Sequence, residues 1–285
     1  MANFRSITQI GTSEPFELQV ARGQIPGHSA LHKFGAVPEM SVNTTGTVWD
    51  IDDTLYPWSA FSSASVLTVD RASASDAGKT IVIQGLDENY QEITENVTLT
   101  NATGNTTTRT FIRVYRSYMY NGSSANVGNI DIKVSTTVVA RISAGNSQTL
   151  MGVYTVPAGY TAYLTQGVMS VKSGADATGN FFVRYGGETA FRIAHTFEVA
   201  SAEYFYAFHV PFALPEKSDV DIRASVRSNN ARVTAAFDAY LIKNEDWTNG
   251  SEERESDTQN HWQGRQLPQD QSWCRHDQKG CCRVS

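Results

Sequence analysis

The chain has 285 residues, 40% of them hydrophobic and only 18% charged, with a formal net charge of −6. That length builds a substantial core, and so little charge beside abundant Thr, Ser, Asn, Gly and Tyr points to a β-rich scaffold rather than a helical enzyme. The acidic balance excludes a polyanion-binding surface, and with it nucleic acid as a partner. No apolar run reaches the eighteen or so residues of a membrane-spanning helix, and the first eleven residues hold no apolar core of a secretion signal.

In chain order, residues 1–45 are rich in turn-forming residues (Gly23, Pro26, Gly27, Gly35, Pro38) and read as an extended N-terminal arm laid along another surface. The β domains are expected to fold without it. Next comes Asp50-Ile51-Asp52-Asp53-Thr54-Leu55, a string that resembles the D-x-D-x-T-L nucleophile motif of haloacid dehalogenase-type phosphatases. That chemistry requires a parallel strand in an α/β sheet, and no strand–helix alternation surrounds the string. A calcium loop fails too, because Phe61 stands where the bidentate Glu belongs. The string is read as an acidic turn between Trp49 and Tyr56-Pro57-Trp58.

Strand-like runs then follow one another at 65–70, 80–86, 91–98, 107–120 and 130–142, the second and third joined as a hairpin through Asp87-Glu88-Asn89. After the link Ser143-Ala144-Gly145-Asn146 come 148–155, 160–173, 181–185, 191–199, 203–210, 220–227 and 233–241. Phe191, Ile193, His195, Phe197 and Val199 show the period of two cleanly, as do Val220, Ile222, Ala224 and Val226. Turn signals punctuate the runs at Pro157-Ala158-Gly159, Gly186-Gly187 and Asn229-Asn230. The pattern predicts an all-β chain with two antiparallel β-sandwich or jelly-roll domains, 46–142 and 147–246. Residues 247–285 are polar, aperiodic and nearly free of aliphatic side chains, and are predicted to be a disordered tail.

No catalytic, cofactor-binding or metal-binding residue is predicted, and the chain is expected not to be an enzyme. The three cysteines, Cys274, Cys281 and Cys282, all lie in the tail with His276, and their spacing matches no zinc framework. Six Asn-x-Ser/Thr sequons, at Asn43, Asn96, Asn101, Asn105, Asn121 and Asn249, are read as by-products of Asn/Thr-rich strands. His195 is expected to be a core or interface histidine rather than a base. The aromatic group Tyr204, Phe205, Tyr206 and Phe208 is expected to be buried in the sandwich, the alternative being a strand that presents one face to a partner subunit or a glycan.

Several stretches resemble virion structural proteins of tailed bacteriophages, in particular those of marine cyanobacterial phages. They are Thr47-Val48-Trp49-Asp50 through Tyr56-Pro57-Trp58, the hairpin Ile81-Val82-Ile83-Gln84-Gly85-Leu86-Asp87 with Glu92-Ile93-Thr94-Glu95-Asn96-Val97-Thr98-Leu99, and Asn126-Val127-Gly128-Asn129-Ile130. Tyr154-Thr155-Val156-Pro157-Ala158-Gly159-Tyr160 with Thr161-Ala162-Tyr163-Leu164, and Pro215-Glu216-Lys217-Ser218-Asp219-Val220, continue it over about residues 40 to 245. The resemblance implies a capsid decoration, head-fibre or tail-associated protein, located in the virion and assembled in the bacterial cytoplasm. It implies no catalytic residue. The implied partners are copies of the chain itself and other virion proteins such as the major capsid protein. A carbohydrate-binding adhesin that recognises a host-surface glycan is the competing class.

Overall fold

The computed structural model describes residues 14–120 and 124–244. The predicted tail, with its cysteines, lies outside the described residues. Within them the chain forms sixteen strands, one short α-helix, α1 (Phe16–Ala21), and two 3-10 turns at Trp58–Phe61 and Ala74–Asp76, and every pair of strands is antiparallel. The all-β reading is correct. No helix among the described residues is long and apolar enough to cross a membrane.

The first strands, β1 (His28–Met40) and β2 (Thr45–Thr47), belong to sheets completed much later in the chain. Between them and the link at 143–146 lie β3 (Ser65–Arg71), β4 (Thr80–Leu86), β5 (Glu92–Thr98), β6 (Asn105–Phe111), β7 (Arg113–Met119), β8 (Ile130–Val134) and β9 (Thr137–Ile142). They form a four-stranded sheet in the order β6-β3-β8-β9 and a three-stranded sheet in the order β5-β4-β7. Leu67, Ile81, Ile83, Phe111, Ile130 and Ile132, alternate residues of these strands, fill one hydrophobic core between the sheets.

The remaining strands are β10 (Val153–Thr155), β11 (Tyr160–Val171), β12 (Asp176–Arg184), β13 (Arg192–Ala200), β14 (Glu203–Leu214), β15 (Asp219–Val226) and β16 (Ala231–Lys243). One sheet runs β1-β16-β11-β14 and the other β10-β15-β12-β13, with β2 also paired to β15. Phe181, Val183, Ile222, Val233, Phe237 and Ala239 belong to the core between them. The two cores meet through Tyr115, which packs against both, and through adjacent Val48 and Trp49, which enter different ones.

Residues 28–40 are extended, as an arm would be, but the extension is a strand of this chain's own sheet. β1 pairs with β16 from His28↔Ile242 to Met40↔Ala231. Val37 and Met40 are fully buried. Lys33 is buried as well, and its Nζ donates to the carbonyl of Tyr115. Gly35, a loop signal in the sequence, is there because the backbones crowd. A Cβ at that position would lie 2.1 Å from the Val48 carbonyl oxygen and 2.5 Å from the Gly152 nitrogen.

Candidate functional site

Where the two sandwiches meet, three strand ends converge: the first residue of β7 (Arg113), the last of β12 (Arg184) and the first of β15 (Asp219). On β15, Val220, Ile222 and Ala224 face the core, so the period of two places Asp219, Asp221 and Arg223 together on the opposite face. That face is covered. Asp219 is 3% and Asp221 0% exposed.

Two arginines share the Asp219 carboxylate. Arg113 Nε donates to Oδ1 at 2.8 Å and Nη2 to Oδ2 at 3.1 Å, while Arg184 Nε and Nη2 donate to Oδ2 at 3.0 and 2.5 Å. Thr155 Oγ1 donates to Oδ1 at 2.5 Å. Asp221 accepts from Thr47 Oγ1, Trp58 Nε1 and Arg223 Nε at 2.8, 3.0 and 2.8 Å. Burial is the largest single influence on the Arg113 pKa and pulls it down, but the hydrogen bond to Asp219 together with the charges of Asp219, Tyr90 and Tyr56 outweighs it and the pKa is raised. Both arginines are guanidinium ions in a low-dielectric setting, where charge-assisted bidentate bonds are strongest.

Aromatic rings finish the site. The Arg113 guanidinium sits 5.5 Å from the Trp58 ring centre and 5.6 Å from that of Tyr90, and Arg184 sits 5.4 Å from Trp58 and 4.7 Å from Phe191. Lys217 Nζ lies 5.6 Å from the Tyr90 ring centre. These separations fall within cation–π range. Beside the cluster opens a cleft of about 600 Å³, whose walls include Trp58, Tyr90, Arg113, Arg184, Tyr185 and Lys217. Its volume is that of an ordinary small-molecule site. Sequence reasoning missed the cluster, and its only linear trace is Asp219-x-Asp221-x-Arg223 on a strand.

The acidic string lies apart from this cleft and forms a turn. Asp52 Oδ1 accepts from the Thr54 amide at 2.9 Å, and Asp53 Oδ2 accepts from the Ser41 amide at 3.1 Å. Trp49, Tyr56 and Trp58 stack edge to face around it, with ring centres 5.3 and 4.7 Å apart. Asp50 is the exception within the turn, being 4% exposed, and its Oδ2 has no hydrogen-bond partner among the described residues. Burial raises its pKa to about 6, against the opposing hydrogen bonds from Ser143 and the nearby backbone. An unfolded Asp titrates near 3.9, so the folded protein holds a proton that the unfolded chain has released between those values. Stability therefore falls as pH rises through that window and stays reduced above it, by about 3 kcal/mol at most. Asp50→Asn is expected to raise the melting temperature at pH 7.5 and to remove the decline between pH 4 and 6, measured by thermal denaturation across that range.

The aromatic strand meets the expectation of burial in part: Tyr204 and Phe208 pack against the core, while Phe205 does not. β14 is the outer strand of its sheet, and nothing among the described residues covers its far face. Phe205 is 59% and Val210 77% exposed, rather than buried. The register with β11 jumps from Gln166↔Ala207 to Leu164↔Phe212, so residues 208–211 form a bulge. Neighbouring β13 is also an outer strand. Its His195 lies against Tyr206, with ring centres 4.5 Å apart, and its Nε2 is buried without a partner among the described residues. Burial lowers its pKa, which keeps it neutral. The histidine belongs to an aromatic cluster with Phe197, Tyr204, Tyr206 and Phe208.

No family model matches the chain, and no curated protein matches it. Among solved structures, that of the Gx strain of infectious bursal disease virus is 8% identical, with a TM-score of 0.23 over 77% of this chain and 73% of that one. A structure of T=1 particles derived from infectious bursal virus is 8% identical, with a TM-score of 0.16 over 77% and 74%. Likeness this slight carries nothing for the function.

Proposed function

We propose that the protein is a non-enzymatic structural component of a tailed-phage particle, a capsid-surface decoration or head-fibre protein that assembles with copies of itself and with the major capsid protein. One observation carries the self-assembly. From 204 to 214 the outer strand β14 reads Tyr-Phe-Tyr-Ala-Phe-His-Val-Pro-Phe-Ala-Leu, eleven residues without Asp, Glu, Lys or Arg. Outer strands of soluble monomers are normally protected by charge, especially lysine, and a contiguous exposed apolar strip marks a contact surface. A twelve-residue strand spans about 40 Å, long enough to serve as the spine of a standard interface of about 800 Å² per partner. The sequence resemblance supplies the virion; the exposed strand supplies the means of assembly.

Light scattering of the full-length protein is expected to give a homo-oligomer at micromolar concentration. The double variant Phe205→Lys/Val210→Lys is expected to be monomeric with an unchanged circular dichroism spectrum, because both side chains point into solvent in the single chain. A wild-type protein that stays monomeric at high concentration, and is absent by mass spectrometry from purified virions, would overturn the reading.

A further inference from the structure

We propose that the cleft beside Arg113, Arg184 and Lys217 binds a carboxylated saccharide. The inference rests on the cleft alone and is independent of the particle role.

The first argument is a count of hydrogen-bond donors. A guanidinium has five N–H groups. Arg113 directs three of them to Asp219 and the Ile112 carbonyl, which leaves two, and Arg184 directs two to Asp219, which leaves three. Asp219 is already saturated by these bonds and by Thr155. Lys217 has no ion-pair partner among the described residues. The cleft therefore holds more spare donors than free acceptors, Glu188 Oε2 being the buried acceptor in its wall without a partner among the described residues, so its ligand must present mainly oxygens.

The second argument is charge. One carboxylate set against two guanidinium ions leaves a single positive charge, and Lys217 adds a second. Glu188, also in the wall, is balanced by Arg192 at 2.7 Å. One or two negative charges suit one or two carboxylates. A nucleic acid brings a charge at every phosphate, more than these cations match on a chain of net charge −6.

Shape and polarity give the third. A small inorganic anion would occupy a minor part of about 600 Å³ and leave the cleft-facing surfaces of Tyr90 and Tyr185 uncovered. A sugar ring uses both features: its C–H face packs on an aromatic side chain, and its hydroxyl and carboxylate oxygens accept from the spare donors. The aromatic–cationic pairs also hold the donors in place before any ligand arrives, which reduces the ordering cost of binding.

The test is calorimetric titration of the full-length protein with tetragalacturonate and with 3′-sialyllactose, beside maltotetraose and sodium sulfate. At least one carboxylated saccharide is expected to bind about tenfold or more tightly than maltotetraose and not to be displaced by equimolar sulfate. Lys217→Asn is expected to weaken that binding about tenfold with no change in melting temperature, since Lys217 is exposed and its φ of 61° is one that asparagine tolerates. Failure of both carboxylated probes to bind at about 10 mM would overturn the proposal. So would equal affinity for maltotetraose, competition by equimolar sulfate, or affinity unchanged in Lys217→Asn.

Discussion

Asp219→Ala is expected to abolish cooperative folding at physiological temperature or to lower the melting temperature by well over ten degrees. Two arginines depend on that carboxylate. The Arg113 side chain is 8% exposed and that of Arg184 18%, so each meets water only along its cleft-facing edge and neither is fully solvated when its partner is removed. Breaking a buried pair by deleting one member costs about 3–5 kcal/mol, because an uncompensated charge stays behind. Here one deletion strands two charges and also removes the acceptor of Thr155 Oγ1. Against a typical total stability of about 5–15 kcal/mol, that is a large share. Asp219→Asn keeps the shape and one acceptor oxygen and is expected to fall between the alanine variant and the parent. Thermal melts followed by circular dichroism decide the matter, and an alanine variant melting within a few degrees of the parent would refute the cluster's structural weight.

Removing residues 1–40 is expected to give an insoluble chain, or one that unfolds without a cooperative transition. This reverses what the amino-terminal composition suggests, since a detachable arm would leave a folded body. In the fold, the deletion takes away β1 and its whole ladder with β16, and it empties the fully buried positions of Val37 and Met40. Each of those side chains contributes about 1.5–3 kcal/mol by burial, and each lost ladder hydrogen bond costs about 0.5–1.5 kcal/mol net. β16, whose inward side chains include Phe237 and Leu241, would become an unprotected outer strand. A truncated protein with a sharp melt near that of the full chain would contradict this.

Local chemistry makes many strands legible in the sequence. β4 occupies residues 80–86 as its β-rich run predicts, and the turn after it forms because Asp87 Oδ1 accepts the amides of Asn89 and Gln91 at 2.8 and 2.9 Å. Breaks without a turn signal were not legible. The run 130–142 is two strands because the chain reverses at Ser135, with φ of 55°, where neither Gly nor Asn marks the left-handed residue. The run 107–120 is interrupted at Ile112, between β6, which pairs with β3, and β7, which pairs with β4. Changing partner leaves no mark in a composition that stays β-rich on both sides.

By itself the sequence determined that this chain is all-β, that its strands are antiparallel, and which residues of each strand share a face. Those properties follow from side-chain alternation and turn chemistry, which act over a few residues. Only the tertiary structure decided what covers each face. Asp219 and Asp221 alternate with core residues just as a solvated strand face would, yet Arg113 and Trp58, more than a hundred residues earlier, bury them. Phe205 reads as core by composition, yet it stands in solvent because no second layer among the described residues covers its side of the sheet. Periodicity reports the polarity of a surface. Whether water, a second strand or an arginine meets that surface depends on contacts between residues far apart in the chain.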